Sequence, residues 1–265
     1  MHHRVVEENL RTAMRCYGRV SAVGESRDYP GIVVTYCGLP SAVFNSALLN
    51  APADEDEFRR ALALATVHFR QRGVGWTLWL CEDLLNGMSL RRHVALMMKD
   101  NGMDSIAFPP GMYAEKLATP AHPLPELRVR RVSDAATRLD FAHLSSNIFA
   151  LPFQTAQQVY ANEALWAPPM YGWVGYRDGL AVTLACVVIG GGAAGVYSVG
   201  TLPAFQRRGY AETIVRHALD ESRADAGTDA TVLQSTAQGL KLYTRMGYRP
   251  VTKFGVYMYE NWRRN

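Results

Sequence analysis

Helical and strand-like hydrophobic patterns alternate along this chain. From Val5 to Arg19, the residues Val5, Leu10, Ala13, Met14 and Tyr17 share one face, which predicts an amphipathic helix. Ile32 to Tyr36 is a β-branched run and reads as a strand. After the turn Gly38-Leu39-Pro40, Val43 to Leu49 reads as a second strand with Asn45 inside it, expected to be a satisfied buried amide. Asp54 then opens a helix to about Arg72, with Glu55, Asp56 and Glu57 in its first turn. Gly75 to Leu80 is a strand whose Trp76 and Trp79 read as core or domain-interface residues. Leu84 to Asp100 holds a helix that stops at Asn101-Gly102. Asp104 to Phe108 and Met112 to Leu117 read as closing strands.

The stretch Thr119 to Pro125 holds three prolines in seven positions and reads as an extended connector. The order of elements then repeats. Leu127 to Val132 is a strand, and Asp134 caps a helix to about Leu144. An apolar break from Asn147 to Phe153 precedes a helix near Thr155 to Leu165. Gly172 to Arg177 and Leu180 to Ile189 form a hairpin about Asp178-Gly179. The glycine-rich stretch Gly190 to Gly195 leads to a strand, Val196 to Thr201, and so is a hairpin connection and not a phosphate loop. Pro203 ends the strand, and Ile214, Val215, Ala218 and Leu219 mark one face of the next helix. Thr231 to Leu233 is a strand. A short helix follows with Leu240, Leu242 and Tyr243, and strands at Pro250-Val251 and Phe254 to Tyr259 finish the pattern. The expected fold class is α/β, a mixed α+β sheet, built as two modules in tandem.

Composition adjusts this picture little. The chain has 265 residues and 48% hydrophobic content, enough for packed cores. A net charge of +4 is too mild to argue for nucleic acid and suits an anionic ligand. The four cysteines are scattered without a C-x-x-C pair, so neither a zinc site nor a redox dithiol is expected. Reduced, partly buried thiols point to a cytoplasmic setting. No long apolar run suggests a signal peptide or membrane span.

The chemistry concentrates between Val196 and Tyr248. A strand leads into Gln206-Arg207-Arg208-Gly209-Tyr210-Ala211 and directly into a helix. The first amides of a helix lack intrahelical partners and carry the positive end of its dipole. Small residues let a phosphate approach the backbone, and two arginines add charge, so a diphosphate site is expected. The loop fits the Q/R-x-x-G-x-G/A motif, and Leu242-Tyr243-Thr244-Arg245-Met246-Gly247-Tyr248 fits the L-Y-x-x-x-G-F/Y ending, of the GCN5-related N-acetyltransferase (GNAT) family, which this stretch resembles.

The resemblance implies acetyl-CoA as cosubstrate, no metal, and direct attack by an amine in a ternary complex. It places pantetheine along Val199, Gly200 and Thr201, with the Val199 amide as oxyanion donor. The diphosphate would lie on amides from Arg207 through Arg208, Gly209, Tyr210 and Ala211 to Glu212. Tyr243 would protonate the departing thiolate. Many members carry Asn seven residues before that tyrosine; here Thr236 stands there beside Ser235, so cofactor contacts are expected from hydroxyls. Asn147 and Phe149 fall in the region that shapes the acceptor site. The general base is open among Glu163, His143 and a water chain.

Residues 1–118 lack the loop motif, and their acidic helix start would repel a diphosphate. They read as a degenerate module, with 119–126 as linker and 127–265 as the catalytic domain. The expected function is N-acetyl transfer to an amine of a small molecule or protein. The rival is a non-catalytic acetyl-CoA sensor or scaffold. Expected partners are acetyl-CoA and an amine acceptor, with a homodimer left open, and neither nucleic acid nor membrane. A nucleotide-triphosphate enzyme is disfavoured because no G-K-[ST] follows the loop.

Overall fold

The structure is a computed structural model describing residues 2–260. Its elements are α1 (His2–Cys16), β1 (Glu25–Tyr29), β2 (Ile32–Tyr36), β3 (Ser46–Leu49), α2 (Glu55–Arg70), β4 (Trp76–Cys81), α3 (Met88–Asp100), β5 (Asp104–Ala107) and β6 (Pro110–Ala114). After the connector come β7 (Arg128–Arg131), α4 (Ala135–Phe149), α5 (Phe153–Tyr160), β8 (Met170–Arg177), β9 (Leu180–Gly190), β10 (Ala193–Thr201), α6 (Tyr210–Ala226), β11 (Thr231–Gln234), α7 (Leu240–Arg245) and β12 (Arg249–Tyr259).

The chain divides into two compact units. One holds residues 2–16 with 112–249, and the other 17–111 with 250–260. This differs from a cut at the proline-rich connector: the first helix goes to the later unit and the last strand to the earlier one. The last five residues of the domain expected at 127–265 lie outside the described residues. The reason for the exchange is apolar burial. The inner face of α1 is Val6, Leu10, Ala13 and Cys16, all essentially inaccessible, and its Asn9 bonds to carbonyls of β9 and β10. The outer part of β12 pairs with β4 from Phe254↔Cys81 to Tyr259↔Trp76. Sequence periodicity shows that a helix has an apolar face, but not which sheet covers it.

Both units share one plan. In the earlier unit β1, β2 and β3 form an antiparallel run, and β4 lies parallel to β3 after the crossover helix α2. In the later unit β7, β8, β9 and β10 run antiparallel, and β11 lies parallel to β10 after α6. Parallel neighbours need such a crossover, which is why each pair brackets a helix. The core of the later unit packs Ile214, Val215 and Ala218 of α6 against Trp173, Val187, Val196 and Leu233.

Several boundaries differ from the pattern. β1 is rich in charged residues and was not expected. The apolar break at Asn147 is still helix: α4 runs on to Phe149 and stops at Ala150, which is left-handed (φ 54°), just before Pro152. Only Gly191 and Gly192 remain as the turn between β9 and β10. The two final strands are one continuous β12.

Candidate functional site

The site begins where two parallel strands part. β10 and β11 pair at Ala194↔Thr231 and Gly195↔Val232, and among the described residues the rest of β10 has no strand partner on that side. On its other side the β9 register runs from Tyr197↔Cys186 to Gly200↔Leu184, three steps against two. The extra residue is a bulge: Ser198 is left-handed (φ 48°), and Ser198 and Val199 stand outside the ladder. A bulge takes backbone groups out of their ladder, and this one lies on the strand that borders the gap between β10 and β11.

Thr183 of β9 holds the far side of the bulge. Its hydroxyl donates to the Gly200 carbonyl at 2.7 Å and lies 3.0 Å from the Thr201 hydroxyl. Gln206 donates to the Thr201 carbonyl at 3.1 Å, tying the loop back to the strand end. Neither contact was anticipated from sequence; the signal was Thr183, a polar residue inside an apolar run and wholly buried here.

The loop then delivers α6. Arg207 is left-handed (φ 65°) and Gly209 caps the helix at φ 88°, a conformation that favours glycine. A Cβ on Gly209 would also approach Pro125 Cδ of the connector to 2.9 Å. No side chain caps the helix, and the Thr213 amide donates to the Gly209 carbonyl at 3.0 Å. The amides of Tyr210, Ala211 and Glu212 therefore point out of the first turn. Arg207 and Arg208 are exposed and make no ion pair among the described residues; Arg208 lies over the Phe205 ring. Tyr210 is buried. The Glu212 carboxylate is bound by Arg216 at 2.8 Å and Arg245 at 3.7 Å, so only its amide is free to face a ligand.

Across the gap, the α7 end brings Ser235, Gly239 and Tyr243 together: a Cβ on Gly239 would meet the Tyr243 ring at 2.8 Å and Ser235 Oγ at 3.4 Å. The Tyr243 ring packs edge-on against Tyr248. Its hydroxyl has no hydrogen-bond partner among the described residues, and burial pushes its pKa well above the ordinary phenol value. Ser235 donates to the Thr236 carbonyl at 2.8 Å, and Thr236 Oγ1 accepts from the Gly239 amide at 3.1 Å. Both hydroxyls thus serve the turn into α7.

On the other side of β10, Ile148 and Phe149 at the end of α4 lie over Gly200. Ile148 was not singled out in the sequence because α4 was expected to end earlier. The Asn147 amide donates to the His143 carbonyl of its own helix. His143 stacks on Phe153, and Glu163 is exposed beside Arg138. A pocket of about 370 Å³ lies elsewhere, at the opposite end of α6, between Leu219, Arg223, Leu117 and the connector residue Leu124. No cluster of three or more His, Cys, Asp or Glu is placed to hold a metal among the described residues. No described helix is long and apolar enough to cross a membrane.

The corresponding place in the earlier unit carries a backbone bridge. Past β3, Ala53 bridges to Leu85 in parallel, with Ala53 N donating to the Leu84 carbonyl and Asn86 N to the Ala53 carbonyl, both at 2.8 Å. The start of α2 is capped by a reciprocal Asp54–Glu57 box.

Residues 168–250 match the family model for the acetyltransferase (GNAT) domain. That stretch is therefore similar to an acetyltransferase domain of the GNAT class. A GCN5-related N-acetyltransferase from Kribbella flavida has the same fold over nearly the whole length, with TM-score 0.68 and 17% identity, covering 94% of this chain and 95% of that one. One from Sphaerobacter thermophilus gives 0.56 at 14% identity, covering 87% and 77%. A tandem GNAT protein from the clavulanic acid biosynthesis pathway gives 0.54 at 13% identity, covering 87% and 78%. A search of curated proteins found no significant match.

Proposed function

We propose that the chain is an N-acetyltransferase that moves the acetyl group of acetyl-CoA to an amine by direct attack in a ternary complex. The observation that carries this reading is the gap between β10 and β11, with a bulge on one wall, an uncapped helix start at one end and an unpartnered phenol at the other. The pantetheine arm would take the place of the missing strand pairing along Val199, Gly200 and Thr201. The Val199 amide would donate to the oxyanion. The diphosphate would sit on the amides from Arg207 to Glu212, with Arg207 and Arg208 as counter-charges.

Tyr243 would hand its proton to the leaving sulfur. A thiol near 8.5 and a phenol near 10 make this step slightly uphill in water by ordinary values of about those sizes. Burial keeps the phenol protonated, and the same dry surroundings make a fresh thiolate more basic. Ser235 and Thr236 would contribute to cofactor binding chiefly by shaping the turn, and Phe149, with Ile148 and Asn147 beside it, would line the acceptor side. The earlier unit would not hold acyl-CoA in this manner, since Ala53 and Leu85 bridge beyond its strands and its helix start is acidic and capped.

A second reading is a non-catalytic acetyl-CoA-binding module. It is favoured by the commitment of the Ser235 and Thr236 hydroxyls to local backbone, which leaves fewer side-chain contacts for the cofactor.

Calorimetric titration of acetyl-CoA into the wild type and an Arg207→Glu/Arg208→Glu variant tests the site. Micromolar binding is expected in the wild type and at least a hundredfold loss in the variant; equal binding by both removes the diphosphate from this loop. CoA release with spermidine (an alkyl amine) and a short peptide (an α-amine) separates enzyme from sensor, since the two amine types differ by about 2.6 pKa units.

A further inference from the structure

We infer that Asn9 is a positioning residue for the acyl-transfer site: through the Tyr197 hydroxyl, the first helix of the chain fixes the near side of the β10 bulge. This rests on the acyl-transfer reading above, because it concerns the backbone that would receive the thioester.

Asn9 is fully buried on α1. Its Nδ2 donates to the carbonyls of Val188 at 3.0 Å, Gly190 at 2.8 Å and Ala193 at 2.9 Å, sharing two hydrogens among three acceptors. Its Oδ1 accepts from the Tyr197 hydroxyl at 2.6 Å. The carboxamide thus uses both of its faces. Gly195 makes the approach feasible, since a Cβ there would coincide with Asn9 Oδ1.

Tyr197 is the last residue of β10 paired with β9 before the bulge. Ser198 follows in the left-handed region, which a non-glycine residue keeps only when its surroundings impose it. Thr183 imposes it from the far side by holding Gly200 and Thr201. The Tyr197–Asn9 bond holds the near side. Between these two ties stand Ser198 and Val199, and it is the Val199 amide that the reaction would use.

Were Asn9 only an attachment for α1, its loss would loosen the β9–β10 tip, and removing the Tyr197 hydroxyl would change little. A positioning role requires the opposite for Tyr197→Phe, which keeps the ring and deletes one bond. Hydrogen exchange should be measured residue by residue on the full chain for wild type, Tyr197→Phe and Asn9→Ala, beside acetyl-CoA titration and CoA release with spermidine and a short peptide. Tyr197→Phe is expected to speed exchange at Ser198, Val199 and Gly200 at least tenfold while the rest of β9 and β10 stays protected. Acetyl-CoA affinity should stay within twofold, because the diphosphate is held elsewhere, and CoA release should fall at least tenfold. Unchanged exchange at the bulge in Tyr197→Phe, or equal loss of protection across both strands, overturns the inference. A wild type that neither binds acetyl-CoA nor releases CoA sinks the acyl-transfer reading instead, and the exchange data still decide whether Asn9 holds the bulge.

Discussion

Tyr243 sits against Gly239 and Tyr248 with a hydroxyl that nothing in the described chain engages. Replacing it with Phe removes one oxygen from an already apolar setting, so the fold should persist. CoA release is expected to drop about a hundredfold, the lower end for a lost general acid, with acetyl-CoA affinity unchanged. Turnover equal to wild type would assign the proton to another donor. Glu7 offers a second single-residue test. Burial raises its pKa from 4.5 to about 7 despite the Arg11 guanidinium at 2.6 Å. Below the unfolded value of 4.5 both states are protonated and the group is neutral in the balance. As pH climbs from 4.5 to 7 the unfolded chain ionises first, so stability declines by up to about 3 kcal/mol and then levels off. Glu7→Gln should therefore gain thermal stability relative to wild type between pH 5 and pH 8. A difference independent of pH would show that Glu7 ionises normally.

At the scale of elements, the strand–loop–helix unit from Val196 onward could be read in the sequence, because its chemistry is local. A strand run, Pro203, Gly209 and an apolar helical face each act over a few residues. The bulge could not be read, since it arises from the register of β10 against β9 and from Thr183, which lies 17 positions from Gly200. The Ala53↔Leu85 bridge was equally hidden, although Asp54 and Glu57 were visible as an acidic helix start. The capping box there is open to a direct test. Asp54→Ala should cost about 1 kcal/mol, measured by denaturant unfolding, by leaving the Glu57 amide without its acceptor. A loss below 0.3 kcal/mol, an order-of-magnitude bound for an exposed surface change, would mean that the box adds nothing to α2.

For the whole molecule, the connector looked like a domain boundary because prolines mark chain stiffness, not contact. The actual units exchange α1 and β12 across it. Val6 and Leu10 are fully buried, and burying two such side chains contributes about 3–6 kcal/mol, a large share of a typical domain's total. A fragment starting at residue 127 should thus be poorly folded alone, and recover when co-expressed with residues 1–126; near-ultraviolet circular dichroism reads both outcomes. A native-like spectrum from the isolated fragment would refute the dependence. The long-range tie has a temporal side too. Asn9 and Tyr197 are 188 positions apart. At a synthesis rate of roughly 5–20 residues per second, about 10 to 40 s pass between making the two. For nearly all of that interval α1 carries an apolar stripe and a carboxamide whose partners do not yet exist. Whatever shields that stripe on the ribosome governs how much of the nascent chain reaches its native partners.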